Sequence, residues 1–178
     1  PLAPQPPVKL MPSIGERPLD PLAVHATELL GALQRRRRRR DLRDDPQAGA
    51  RLDEYIRSVQ ALLNRSGGSL LEITVGDKGS YLYISFGACI SHEDDARRAV
   101  LAALQLRTLR SGLDDGAVVQ IGVTRGTMRT GEYGSSTRRS YGALGDDVNL
   151  AARLMSQAAP GEVLVSRRIH KELTILDA

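Results

Sequence analysis

The sequence predicts an α+β sandwich, with helices on one face of a largely antiparallel sheet, and three observations predict it. Helical and strand-like periodicities alternate along the chain, two strand-like runs flank the hairpin chemistry of GDKGS, and glycine or Pro-Gly pairs end helical stretches. With 178 residues, 41% of them hydrophobic, the chain can bury one sizeable core. One domain with an N-terminal extension over 1–47 is expected.

The first 22 residues hold seven of the nine prolines and should be extended rather than independently folded. Ala23 to Gln34 is apolar and reads as helical, ahead of the arginine run Arg35 to Arg40 and the acidic DLRDDP. From Ala48 onward the pattern is regular. Leu52, Ile56, Val59, Leu62 and Leu63 fall at helical spacing and stop at Gly67-Gly68. Strands are expected over Leu70 to Val75 and Tyr81 to Phe86, with Asp77 in the tight turn between them. Ser91 and HEDD place acceptors and negative charge at the start of an Ala-rich helix running to about Arg110.

Ser111 to Gly116 reads as a loop, and Ala117 to Val123 has the β-branched density of a buried strand. Thr124-Arg125-Gly126 is read as a turn into a second strand that GEYGSS ends. A short strand follows near Tyr141, then a helix capped by Asp146 or Asp147 and ended by Pro160-Gly161, then a strand over Glu162 to Ser166.

Composition excludes several function classes. No apolar run approaches the roughly 20 residues of a membrane helix, and the N-terminus lacks the pattern of a secretion signal, so a soluble, cytoplasmic chain is expected. Cys89 is alone and is read as a small buried hydrophobe. The net charge of +4 depends on the six arginines from Arg35 to Arg40, without which the balance would be slightly acidic. That run is read as a solvated segment. With no Trp and one Phe to stack on bases, a nucleic-acid partner is not expected. His25, His92 and His170 show no metal spacing, Ser135-Ser136 has no triad signature, and GTMRTGEYG lacks the Lys-Ser/Thr of a phosphate loop.

The stretch Tyr141 to Leu154, YGALGDDVNLAARL, carries the densest chemistry. It runs from a glycine-broken turn through two carboxylates into a helix that sets Asn149 and Arg153 four positions apart on one face.

In order and spacing, VGDKGSYLYISFGA, HEDDARRAV, IGVTRGTMRTGEYGSSTRRSYGALGDDVNLAARL and PGEVLVS resemble a class III nucleotidyl cyclase catalytic domain. The likeness covers roughly Ala48 to Ser166 and is nearest to bacterial adenylate/guanylate cyclase domains that precede ATPase or repeat regions. The resemblance implies a ferredoxin-like core that pairs as a homodimer, with sites at the interface. Such a domain would convert a nucleoside triphosphate, ATP or GTP, to a 3′,5′-cyclic nucleotide and pyrophosphate with two divalent ions, Mg²⁺ or Mn²⁺. It assigns Asp77 to metal, and Asn149 and Arg153 to positioning the ribose and stabilising phosphate charge. The residues alone leave open whether Asp77 merely satisfies its own turn and whether Asn149 and Arg153 are a solvent-facing pair.

Three departures from the family pattern are visible. The family opens with a hydrophobic strand ending in a second metal-binding aspartate, where this chain has TELLGALQRRRRRRDLRDD, and Asp41, Asp44 and Asp45 are the nearest acids. Ile73, or Glu72 with a register slip of one, stands where a purine-reading lysine is usual, and Gly142 where Asp, Thr or Cys is usual. The chain also stops at Ala178, before the strands that usually bring a phosphate-binding lysine, so a domain truncated at its C-terminus is expected over 48–178. The alternative reading is a degenerate cyclase domain that serves as a dimerisation and regulatory module.

Overall fold

A computed structural model describes residues 23–34, 47–76, 79–109 and 118–176. Its elements are β1 (Ala23–Gln34), α1 (Ala48–Ser66), β2 (Gly68–Gly76), β3 (Gly79–Phe86), α2 (Asp95–Thr108), β4 (Val118–Gly134), β5 (Arg139–Leu144), α3 (Asp146–Gln157), β6 (Val163–Val165) and α4 (Arg167–Leu176). The strands form one sheet in the order β2-β3-β1-β4-β5, with β6 parallel to β4 and the other pairings antiparallel. The first six elements, β1 to β4, trace the βαββαβ path of a ferredoxin-like sandwich, as the sequence predicts.

The α1 helix forms because Tyr55, Val59, Leu62 and Leu63 make one apolar stripe, and Gly67, at φ +77°, terminates it in the left-handed region that suits glycine. That stripe packs on Leu82, Ile84 and Phe86 of β3, Val119, Ile121 and Val123 of β4, and the alanines of α2. Burying side chains such as Phe86 and Ile121 contributes about 1.5–3 kcal/mol each. Asp95, in the first turn of α2, accepts hydrogen bonds from the His92 backbone N–H at 2.8 Å and engages the His92 ring at 3.2 Å. The acid-rich helix start predicted from HEDD is thus built by Asp95 reaching back, not by Ser91 reaching forward.

Several expectations are corrected. Residues 23–34 are a strand, not a helix. β1 pairs along one side with β3, from Thr27↔Phe86 to Leu33↔Ser80, and along the other with β4, from Ala23↔Arg129 to Gln34↔Val118. Two flanking partners outweigh the weak helical propensity of this stretch. The sheet therefore includes residues that the sequence placed in the extension, and the opening strand that appeared to be missing is present. Thr124-Arg125-Gly126 is not a turn, because β4 runs unbroken for 17 residues and the hairpin comes after Gly134. Cys89 is exposed, in the bend that follows β3, rather than buried. The sequence reading also missed α4, whose Ile169 and Leu173 join the core.

Candidate active site

The helix that carries Asn149 and Arg153 is held against β4 by contacts that tolerate little change. In a strand alternate residues face opposite ways, so Val119, Ile121 and Val123 point to α1, α2 and α4, while Gln120, Gly122 and Thr124 point to α3. A Cβ on Gly122 would lie 2.2 Å from the Ala151 carbonyl oxygen and 2.6 Å from the Met155 nitrogen, so this glycine lets helix and strand backbones approach. Gly126 leaves room for the Asp147 carboxylate in the same way. The fully buried Thr124 hydroxyl donates to the Asp147 carbonyl at 2.9 Å, and the buried Gln120 amide donates to the Ala158 carbonyl at the helix C-terminus.

The N-cap of α3 is Gly145 and makes no side-chain cap, which corrects the expectation that Asp146 or Asp147 would cap it. Both aspartates lie in the first turn, where their charge favours the positive end of the helix dipole. Ala151 and Met155 are buried against the sheet, whereas Asn149 and Arg153 are exposed one turn apart on the outward face. Neither makes a side-chain hydrogen bond or ion pair among the described residues. An amide and a guanidinium on a fixed helix face solvent and are free to engage a polar, anionic ligand.

Asp77 lies outside the described residues. Its flanks are described: Gly76 and Gly79 close the β2–β3 ladder as a pair, and the neighbouring rungs place the end of β1 beside the start of β3, Leu33 opposite Ser80. The end of β1, the end of β2 and the start of β3 therefore lie together at one end of the sheet. Asp41, Asp44 and Asp45, as well as the Arg35 to Arg40 run, also lie outside the described residues. Among the described residues no three His, Cys, Asp or Glu side chains converge to hold a metal ion. No described helix is long and apolar enough to cross a membrane.

A second patch surrounds the positions where a base reader is expected. The β2–β3 ladder has an irregularity between Leu70 and Glu72, beyond which Glu72 lies opposite Tyr83 and Ile73 opposite Leu82. Glu72 and Ile73 are both exposed. Gly142 of β5 pairs with Gly131 of β4. The hairpin is anchored by the Tyr83 hydroxyl donating to the Ala143 carbonyl at 3.3 Å and by the Tyr141 hydroxyl donating to the Ala88 carbonyl at 3.0 Å.

Residues 47–177 match the family model of the adenylate and guanylate cyclase catalytic domain. The chain belongs to that family. The same fold occurs in the guanylate cyclase domain of RhGC from Catenaria anguillulae bound to GTP, with a TM-score of 0.69, 22% identity, and 85% of this chain and 82% of that chain covered. The adenylyl cyclase CyaB from P. aeruginosa gives a TM-score of 0.69 and 23% identity, with 86% and 82% covered. The catalytic core of a rhodopsin-guanylyl cyclase with converted specificity, bound to ATPαS, gives 0.71 and 22%, with 85% and 82% covered. Comparison with curated proteins returns no significant match.

In this cyclase-family domain the sequence found the helix face but not its seat. Gln120, Gly122, Thr124 and Gly126 alternate along a strand and all face α3, and that period-2 pattern was the available signal.

Proposed function

We propose that this domain converts ATP or GTP to the 3′,5′-cyclic nucleotide and pyrophosphate at the interface of a homodimer. The observation that carries the reading is α3: Asn149 and Arg153 are exposed, and unpaired among the described residues, on a helix whose inner face is fixed to β4. In this reading the Arg153 guanidinium lies against the phosphate oxygens where negative charge grows in the transition state. The Asn149 amide orients the ribose so that its 3′-oxygen stands in line with the α-phosphorus. The new P–O bond forms as the bond to the β-phosphate bridge breaks, the 3′-hydroxyl proton passes to water, and pyrophosphate leaves with that electron pair.

Divalent Mg²⁺ or Mn²⁺, when bound, would neutralise phosphate charge and lower the pKa of the 3′-hydroxyl. The described residues do not build a site for it. Asp77 of the partner subunit is the proposed carboxylate, a hard oxygen donor suited to these ions. In this reading the domain takes in β1 (Ala23–Gln34) as well as 48–178, since β1 lies between β3 and β4 in its sheet.

A second reading, a degenerate domain that only dimerises and regulates, draws on the sequence that follows β1. Gln34 leads into six arginines where the family carries an acid, and the positions of Ile73 and Gly142 offer no polar side chain to a purine. One assay separates the two: purified protein with Mn²⁺ and ATP or GTP, beside the Asp77→Ala and Asn149→Ala variants. Cyclic nucleotide from the parent but neither variant is expected. A dimeric parent that makes no product would leave only the regulatory reading.

A further inference from the structure

Gly142 has no side chain to read a base, yet the space beside it is not empty. A Cβ built on Gly142 would lie 2.8 Å from Cε1 and 3.1 Å from the hydroxyl oxygen of Tyr133. Tyr133 pairs with Ser140, so it is the diagonal neighbour of Gly142 across the β4–β5 hairpin, within reach of an aromatic ring. Its ring therefore takes the place that a side chain at 142 would occupy.

Covering a strand glycine with an aromatic ring is a sheet-stabilising device, and a phenylalanine would do it as well. The hydroxyl is what the fold does not use. Tyr133 is 51% exposed, and its hydroxyl has no hydrogen-bond partner among the described residues. On the same side of the hairpin, two residues beyond Gly142, Leu144 is 65% exposed. A bare glycine rung, Gly131 with Gly142, is thus flanked by an aromatic ring with a free polar tip and by an open aliphatic side chain. A flat apolar ring carrying hydrogen-bonding groups on its edge fits such a place.

We infer that Tyr133 is the base-contacting residue of this domain, its hydroxyl bonding the purine edge in place of the absent side chain at 142. The inference rests on the cyclase reading above. A phenol both donates and accepts, so it can accept from the exocyclic amine of adenine or donate to the O6 of guanine. One contact of this kind holds the base edge and adds affinity without choosing strongly between the two.

The test compares binding of ATP, GTP and base-free inorganic tripolyphosphate, each with Mn²⁺, to the parent and to Tyr133→Phe. Loss of one neutral hydrogen bond should weaken ATP, GTP or both by roughly fivefold. Tripolyphosphate affinity and melting temperature should stay unchanged, because phenylalanine still covers Gly142. Unaltered affinity for both nucleotides in Tyr133→Phe, with the parent binding and cyclising them, would overturn this inference alone. An equal loss for all three ligands would also overturn it, since the effect would then be structural. A parent that binds no nucleotide would overturn the cyclase reading and this inference with it.

Discussion

The two parts of the sheet that the proposed site draws on are built differently. Along β4 the α3 helix sits on Gly122 and Gly126, and buried side chains from Gln120 and Thr124 hold its two ends. Where β1 ends at Gln34 and β2 meets β3 through the Gly76–Gly79 pair, no such backbone packing is needed, and the sequence between those two strands carries the acid Asp77. In the proposed reading the contrast teaches that placing the Arg153 cation against a transition state calls for a rigid helix with backbone-level packing, whereas binding a metal through Asp77 would call for little beyond a carboxylate between two strands.

The largest effect on stability should come from the helix seat. Gly122→Ala drives a methyl into the Ala151 carbonyl and the Met155 nitrogen, which are backbone atoms and cannot rotate away. A loss of about 3 kcal/mol in urea unfolding is expected, together with loss of nucleotide turnover. Asp77→Ala, by contrast, should abolish turnover and leave unfolding unchanged. Equal destabilisation by the two would erase the contrast.

Next in size, Thr124→Val removes the hydroxyl that holds the Asp147 carbonyl while keeping the side-chain volume. It should cost about 1–2 kcal/mol, because the carbonyl loses a buried partner, and it should lower turnover by loosening the first turn of α3. Unchanged stability would show that the helix start is held by packing alone.

A smaller effect sharpens the comparison by reporting on the core that both parts share. Among the described residues the buried Tyr55 hydroxyl has no partner, and burial pushes its pKa from the ordinary 10.0 up to about 12. The folded-state pKa is raised, so the neutral phenol stabilises the fold fully below pH 10, and this stability is lost as pH rises through the window from 10 to 12. Melting temperature should fall across that window in the parent. In Tyr55→Phe it should fall less, with stability at neutral pH equal or slightly higher.

Much of this was legible in the sequence, for identifiable reasons. The α1 stripe, the GDKGS hairpin and the Asn149–Arg153 face are local patterns, and local periodicity is what a sequence displays. The fate of Ala23–Gln34 was not legible, because its alanines and leucines read as helix while pairing on both sides makes it a strand. Thr124-Arg125-Gly126 misled for a related reason. Its glycine makes room for Asp147, and its threonine bonds the same residue 23 positions on. Tyr133 was invisible for the same cause, since only the folded hairpin lays its ring over Gly142.

The central claim is that Asn149 and Arg153 of one protomer complete a site with Asp77 of the other. Mixing and re-pairing the two inactive variants Asp77→Ala and Asn149→Ala tests it most directly. Mixed dimers contain one site with all three residues intact, so re-pairing should restore about one quarter of the parental turnover. Mixed dimers that form and stay inactive, beside an active parent, would contradict the account.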